Sequence, residues 1–169
     1  DSASTGNTYY DSKAIQIVEA KEGPLTDEMK YVISNEGYSD KPYIDKAGRR
    51  EVETVGVGQT GDYKDKTFKA TYEDRLNILK KQVPQLDSLP PEVRKTLIDN
   101  HYRGVIGSNT INLINEGKYA EAGDTFLKGR KDYNEDTPQQ IKNRMDALVN
   151  SLKSVQPKQD LDVKSLFAN

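Results

Sequence analysis

The stretch of this sequence that reads as strand rather than helix lies in one region, and that limits the folds open to it. Between Pro42 and Gln59 stand Tyr43, Ile44, Val52, Val55 and Val57, with Ala47-Gly48 marking a turn. This predicts a small antiparallel sheet. A helix precedes it: Thr26 caps a run to Asn35, Asp27 and Glu28 occupy the first turn, and Gly37 stops it. Before the Gly23-Pro24 break, Ser12–Lys21 fits either a short helix or an added strand. Gly61–Lys69 reads as a charged loop.

From Thr71 the punctuation is helical throughout. Thr71 is the expected cap of a helix carrying Leu76, Leu79 and Val83, and Pro90-Pro91 opens the next, with Val93, Leu97 and Ile98 inside. Thr110–Asn115 ends at Gly117. Lys118–Lys128 carries Tyr119, Ala122 and Phe126, and Thr137-Pro138 starts a helix with Ile141, Met145, Leu148, Val149 and Leu152 at helical spacing. Strands in one region and helices elsewhere predict an α+β fold of two lobes, with a cleft suited to an elongated substrate. The expected division is an N-terminal extension over 1–24, a catalytic domain over 25–153 and a tail or linker over 154–169.

Composition excludes several functions. With 25 Lys+Arg against 27 Asp+Glu, bulk nucleic-acid binding is not expected. There is no cysteine and a single histidine, His101, so thiol chemistry is out and a histidine-based metal site or Ser-His-Asp triad is not expected. No cofactor is expected. No apolar run reaches the roughly 18–20 residues of a membrane span. The chain begins at Asp1 rather than Met, which suggests processing or excision from a longer protein.

Chemistry gathers in Glu36–Thr60. Glu36 closes a helix, where exposed carbonyls disfavour an ionised carboxylate. Asp45 lies beside a turn near Lys46, Arg49 and Arg50, and Thr54 leads into Gly56-Val57-Gly58. Two carboxylates facing one gap are the minimum set for glycoside hydrolysis, one to donate a proton and one to stay ionised. With 27 acidic residues, Glu-x8-Asp alone arises by chance. The ordered combination after a capped helix is more specific.

That combination resembles the phage-type (T4-lysozyme-like) lysozymes, glycoside hydrolase family 24. Glu36-Gly37, Asp45 and Thr54-Val55-Gly56-Val57-Gly58-Gln59 follow the family pattern. Ser108-Asn109-Thr110-Ile111, Ile114-Asn115-Glu116-Gly117, Tyr119-Ala120-Glu121-Ala122 and Arg130 with Tyr133-Asn134 and Thr137-Pro138 extend it over about Thr26–Leu152. Three features depart from it. Eight residues, Lys46–Glu53, separate Asp45 from Thr54, a longer spacing than the family's, with the insertion placed at Arg49–Glu53. Gln59 replaces the usual histidine, and His101-Tyr102-Arg103-Gly104 replaces Phe-Asn-x-Gly.

The resemblance implies a muramidase acting on bacterial peptidoglycan. Glu36 would be the general acid, Asp45 the base or electrostatic partner, and Thr54 the holder of the water in an inverting hydrolysis. Thr60, His101, Thr110 and Thr125 would contact the sugar chain. Partners would be glycan strands and other domains of a larger virion protein. The place of action would be the cell wall, reached from a virion or from the host cytoplasm. A lytic transglycosylase and a catalytically silent wall-binding module are the alternatives. Arg130 and Arg144 either pair with Glu36 or face solvent, and solvent is the default.

Overall fold

The computed structural model describes residues 8–45 and 52–155. The element order is β1 (Thr8–Tyr9), α1 (Asp11–Glu22), α2 (Asp27–Glu36), β2 (Tyr38–Asp45), β3 (Val52–Gly56), β4 (Gln59–Thr60), then α3 (Phe68–Gln82), α4 (Pro91–Arg103), α5 (Ser108–Asn115), α6 (Tyr119–Leu127) and α7 (Gln139–Lys153). This is the expected α+β fold: a small sheet set against a helical body. The Ala47-Gly48 turn, the Arg49–Glu51 part of the insertion and the 156–169 part of the tail lie outside the described residues.

The ambiguous N-terminal segment is a helix. Its Ala14 and Val18 are buried in the same core as Val32 and Ile33 of α2, so packing decides what periodicity left open. α2 starts as its residues dictate, with the Thr26 hydroxyl accepting from Met29 N at 3.2 Å. It ends where Gly37, at φ +77°, turns the chain straight into β2. The sheet is antiparallel in the order β1-β2-β3-β4, with Tyr43 opposite Thr54 and Thr54 opposite Thr60. The β2–β3 register shifts between Ser39 and Tyr43, the interval that holds Pro42. Proline has no N–H for the ladder and belongs at such irregularities.

The cap of α3 is Thr67, not Thr71. Thr67 Oγ1 accepts from Ala70 N at 3.1 Å, whereas Thr71 lies buried one turn later and donates back to Thr67 O at 2.9 Å. The expected loop over Gly61–Lys69 therefore holds a 3-10 turn at Gly61–Tyr63 and the first residues of α3. Glu22, at the end of α1, accepts from Phe68 N and Lys69 N at 2.9 and 2.8 Å. It satisfies two amides that the start of α3 leaves free. Pro91 and Gly104 bracket α4, the glycine in the left-handed conformation. α4 packs against α2, α3 and α7. Leu97 with Met145, Leu148 and Leu152 forms the centre of the core, and Thr96 and Ser151 hydrogen-bond across α4 and α7 at 2.8 Å.

Two contacts fasten the sheet to the helices. Tyr102 of α4 donates to Val57 O at 2.6 Å. The Gln59 side chain accepts from Val57 N at 3.2 Å and donates to Tyr63 O, Lys66 O and Thr71 Oγ1 at 3.0, 2.7 and 3.0 Å. Gln59 thus ties the β3–β4 turn to the start of α3. Among the described residues, no helix is long and apolar enough to cross a membrane.

Candidate active site

A cleft of about 920 Å³ separates sheet from helices. Its sheet side presents Tyr43, Asp45, Val52, Thr54, Gly58 and Thr60, joined by Tyr10 from the turn after β1. Its helical side presents Arg75, Arg103, Arg130 and Arg144 among others, and Glu36 stands at the junction.

Glu36 is placed by the abrupt end of α2. Its side chain is 15% exposed, and its Oε1 accepts from Arg144 Nη2 at 2.8 Å. Its Oε2 and Cδ crowd Gly58, where an added Cβ would stand 2.9 Å from Cδ and closer still to Oε2. Gly58, at φ +60°, is therefore needed twice, for its backbone conformation and for the room it leaves.

Arg144 overturns the solvent default. It is buried, and besides Glu36 it meets Asp99 with a two-pronged grip: Nε to Oδ2 and Nη2 to Oδ1, both at 2.8 Å. Asn35 Nδ2 donates to the same Asp99 Oδ2 at 3.2 Å, and Asn100 Nδ2 donates to Arg144 O at 3.2 Å. Burial works against the Arg144 charge, but Glu36 and Asp99 outweigh it and hold the guanidinium above its ordinary range. Burial pushes the Asp99 carboxyl above the usual range, against the hydrogen bonds and charge of Arg144 and the hydrogen bond from Asn35. Arg130 does not pair with Glu36. It grips Asp132 through Nε and Nη2, both at 2.8 Å, and donates to Val105 O at 2.9 Å. Those bonds hold the Asp132 carboxyl below the usual range.

Opposite Glu36, Asp45 ends β2 and Thr54 sits in mid-β3, only 2% exposed. The Thr54 hydroxyl donates to Val52 O at 3.1 Å, which leaves its lone pairs as acceptors. Burial, with Asp45 and Glu36 nearby, pushes the Tyr43 phenol up to about 12, so this cleft wall offers a neutral O–H.

The structure brings Glu36, Asp45, Thr54 and Thr60 to one cleft. His101, Thr110 and Thr125 are not among its lining residues. His101 faces α3 instead, with Nε2 2.9 Å from Gln82 Oε1. Thr110 is buried in the first turn of α5, and Thr125 lies on α6. Sequence reasoning passed over Asp99, Arg103 and Tyr10. The HYRG segment that departs from the family pattern does reach the cleft, through Tyr102 and Arg103. Arg103 Nη1 is buried without a hydrogen-bond partner among the described residues. Among those residues, no cluster of His, Cys, Asp or Glu is arranged to hold a metal ion.

No family model matches the sequence, and no curated protein resembles it at the sequence level. Among solved structures, the chain is similar to the crystal structure of the active form of P1 phage endolysin Lyz. The TM-score is 0.54 with 14% identity, over 87% of this chain and 95% of that one. The likeness shows a lysozyme-like fold.

Proposed function

We propose that this protein is a muramidase of the phage-type lysozyme kind, hydrolysing the β-1,4 bond between N-acetylmuramic acid and N-acetylglucosamine in bacterial peptidoglycan. The observation that carries the proposal is the convergence of Glu36 from α2 with Asp45, Thr54 and Thr60 from the sheet on one open cleft. The similarity in fold to a phage endolysin supports it. Glu36 Oε1 is taken by Arg144, so the transferable proton belongs on Oε2. Glu36 gives that proton to the glycosidic oxygen as the C1–O bond breaks. The positive charge that develops on the sugar is met by Asp45. A water, accepted by Thr54 and losing its proton to Asp45, adds to C1, and the configuration inverts. The context is a wall-degrading domain of a virion protein or an endolysin.

Digestion of peptidoglycan with analysis of product ends tests this. Wild type is expected to yield reducing ends, and Glu36→Gln to lose at least about 100-fold in rate, the scale of removing a general acid. Anhydro ends would reassign the chemistry to a lytic transglycosylase. Folded wild type that binds wall material without cleaving it would leave a silent module.

A further inference from the structure

A guanidinium hydrogen-bonded to the carboxyl that must donate a proton is a difficulty for any acid. Arg144 Nη2 stands 2.8 Å from Glu36 Oε1, and an unopposed cation there favours the ionised carboxylate. The same guanidinium is gripped from behind by Asp99, which is fully buried and gives both of its oxygens to it. Asp99 touches neither Glu36 by any hydrogen bond nor the cleft, and it is not among the cleft-lining residues. Asn35, the residue before Glu36, completes the hold by donating to Asp99.

We propose that Asp99 is a positioning residue acting through Arg144: its buried carboxylate neutralises and aims the guanidinium, so that Glu36 is oriented by a cation without surrendering its proton to solvent. This rests on Glu36 being the general acid. The other groups facing Glu36 do not supply the balance. The half-buried phenol of Tyr43 on β2 and the buried one of Tyr102 on α4 are both pushed upward by burial, and both are neutral. Asp45 shares the cleft with Glu36 from the far end of β2. Arg103 of α4 adds a second positive charge, its guanidinium held below the ordinary range by burial. In the segment before α7, Arg130 is matched by Asp132, and Lys131 lines the cleft as a further cation. Arg75 of α3 is cationic as well. The surroundings of Glu36 are thus rich in positive charge, and Asp99 is the carboxylate in direct contact with the nearest of them.

The sign of the effect distinguishes this role from a packing role. In Asp99→Asn the Arg144 charge is left to Glu36 alone, the ionised acid gains, and the alkaline limb of the pH–rate profile moves down by about 1–3 units. In Arg144→Gln the cation is removed from Glu36, the buried and unpaired Asp99 takes up a proton, and the limb moves up. In Asp99→Asn with Arg144→Gln both charges are gone, and the limb lies above that of Asp99→Asn. Profiles of kcat/KM on solubilised peptidoglycan, taken on variants first shown to be folded by circular dichroism, read this directly. Should Arg144→Gln fail to fold, the double variant carries the upward shift; should Asp99→Asn fail, Asp99→Ser carries the downward one. Limbs that coincide with that of wild type within about 0.3 units, whatever the loss in rate, would overturn the proposal alone. Glu36→Gln in the same assay separates the two levels: undiminished activity there would remove the acid assignment, and this inference with it.

Discussion

Gly58 shows how narrow the tolerances around the acid are. Its φ of +60° costs a side-chain-bearing residue about 1–2 kcal/mol. A methyl group there would also push against a Glu36 carboxyl already fixed on its other side by Arg144. Gly58→Ala is expected to lower the thermal midpoint only modestly while reducing turnover on the order of 100-fold, because displacing a catalytic group by about 1 Å costs that much. Calorimetry beside kinetics checks it; unchanged turnover would mean that Glu36 is free to move. Thr67 and Thr71 give a second lesson at this scale. Both are threonines close to a helical run, and only the geometry of the first turn tells which one caps it. The sequence singles out Glu36, Asp45 and Thr54 within one local stretch, and all three line the cleft. Asp99 and Arg144 were not legible as partners, since 45 residues separate them and no periodicity links a buried carboxylate on α4 to a guanidinium on α7.

Among elements, α1 is the one whose part the sequence left undecided. A strand and a helix both fit Ser12–Lys21, and only burial of Ala14 and Val18 against α2 and α3 resolves it. The final turn of α1 does more than pack. Glu22 binds the first two amides of α3, as a carboxylate at a helix N-terminus should. Glu22→Ala is expected to destabilise the fold by about 1–2 kcal/mol, with the loss read from urea unfolding at constant slope. A change below about 0.3 kcal/mol would show that water replaces the cap without cost. The sheet was legible as a sheet from its valines and tyrosines. Its fastening was not: Gln59 looks like a conservative polar exchange in the sequence, yet its amide binds the β3–β4 turn, the turn after β4 and α3 at once.

At the scale of the whole molecule, acid stability is set in part by a group outside the cleft. Burial, aided by Arg75, lowers His101 to about 4, well below the ordinary 6.5. Its neutral form is the one the fold accommodates. The stability it contributes is complete above about pH 6.5 and is lost as pH falls through 4, a drop of about 2–3 kcal/mol. Urea unfolding across that range should show the fall in wild type and a flatter profile in His101→Gln; parallel profiles would exclude His101 as the cause. The fold class was readable because strands and helices occupy separate stretches. Which distant residues meet across the cleft was not, because that depends on how α4 and α7 cross.

Arg144 reaches Glu36 from 108 residues further along the chain. During synthesis Glu36 and the sheet leave the ribosome well before the helix that carries Arg144. A nascent chain therefore holds the Glu36 carboxyl without its guanidinium until α7 has emerged. The cleft is complete only once α7 has arrived, so a chain cut before that helix should lack the Arg144 contact to Glu36.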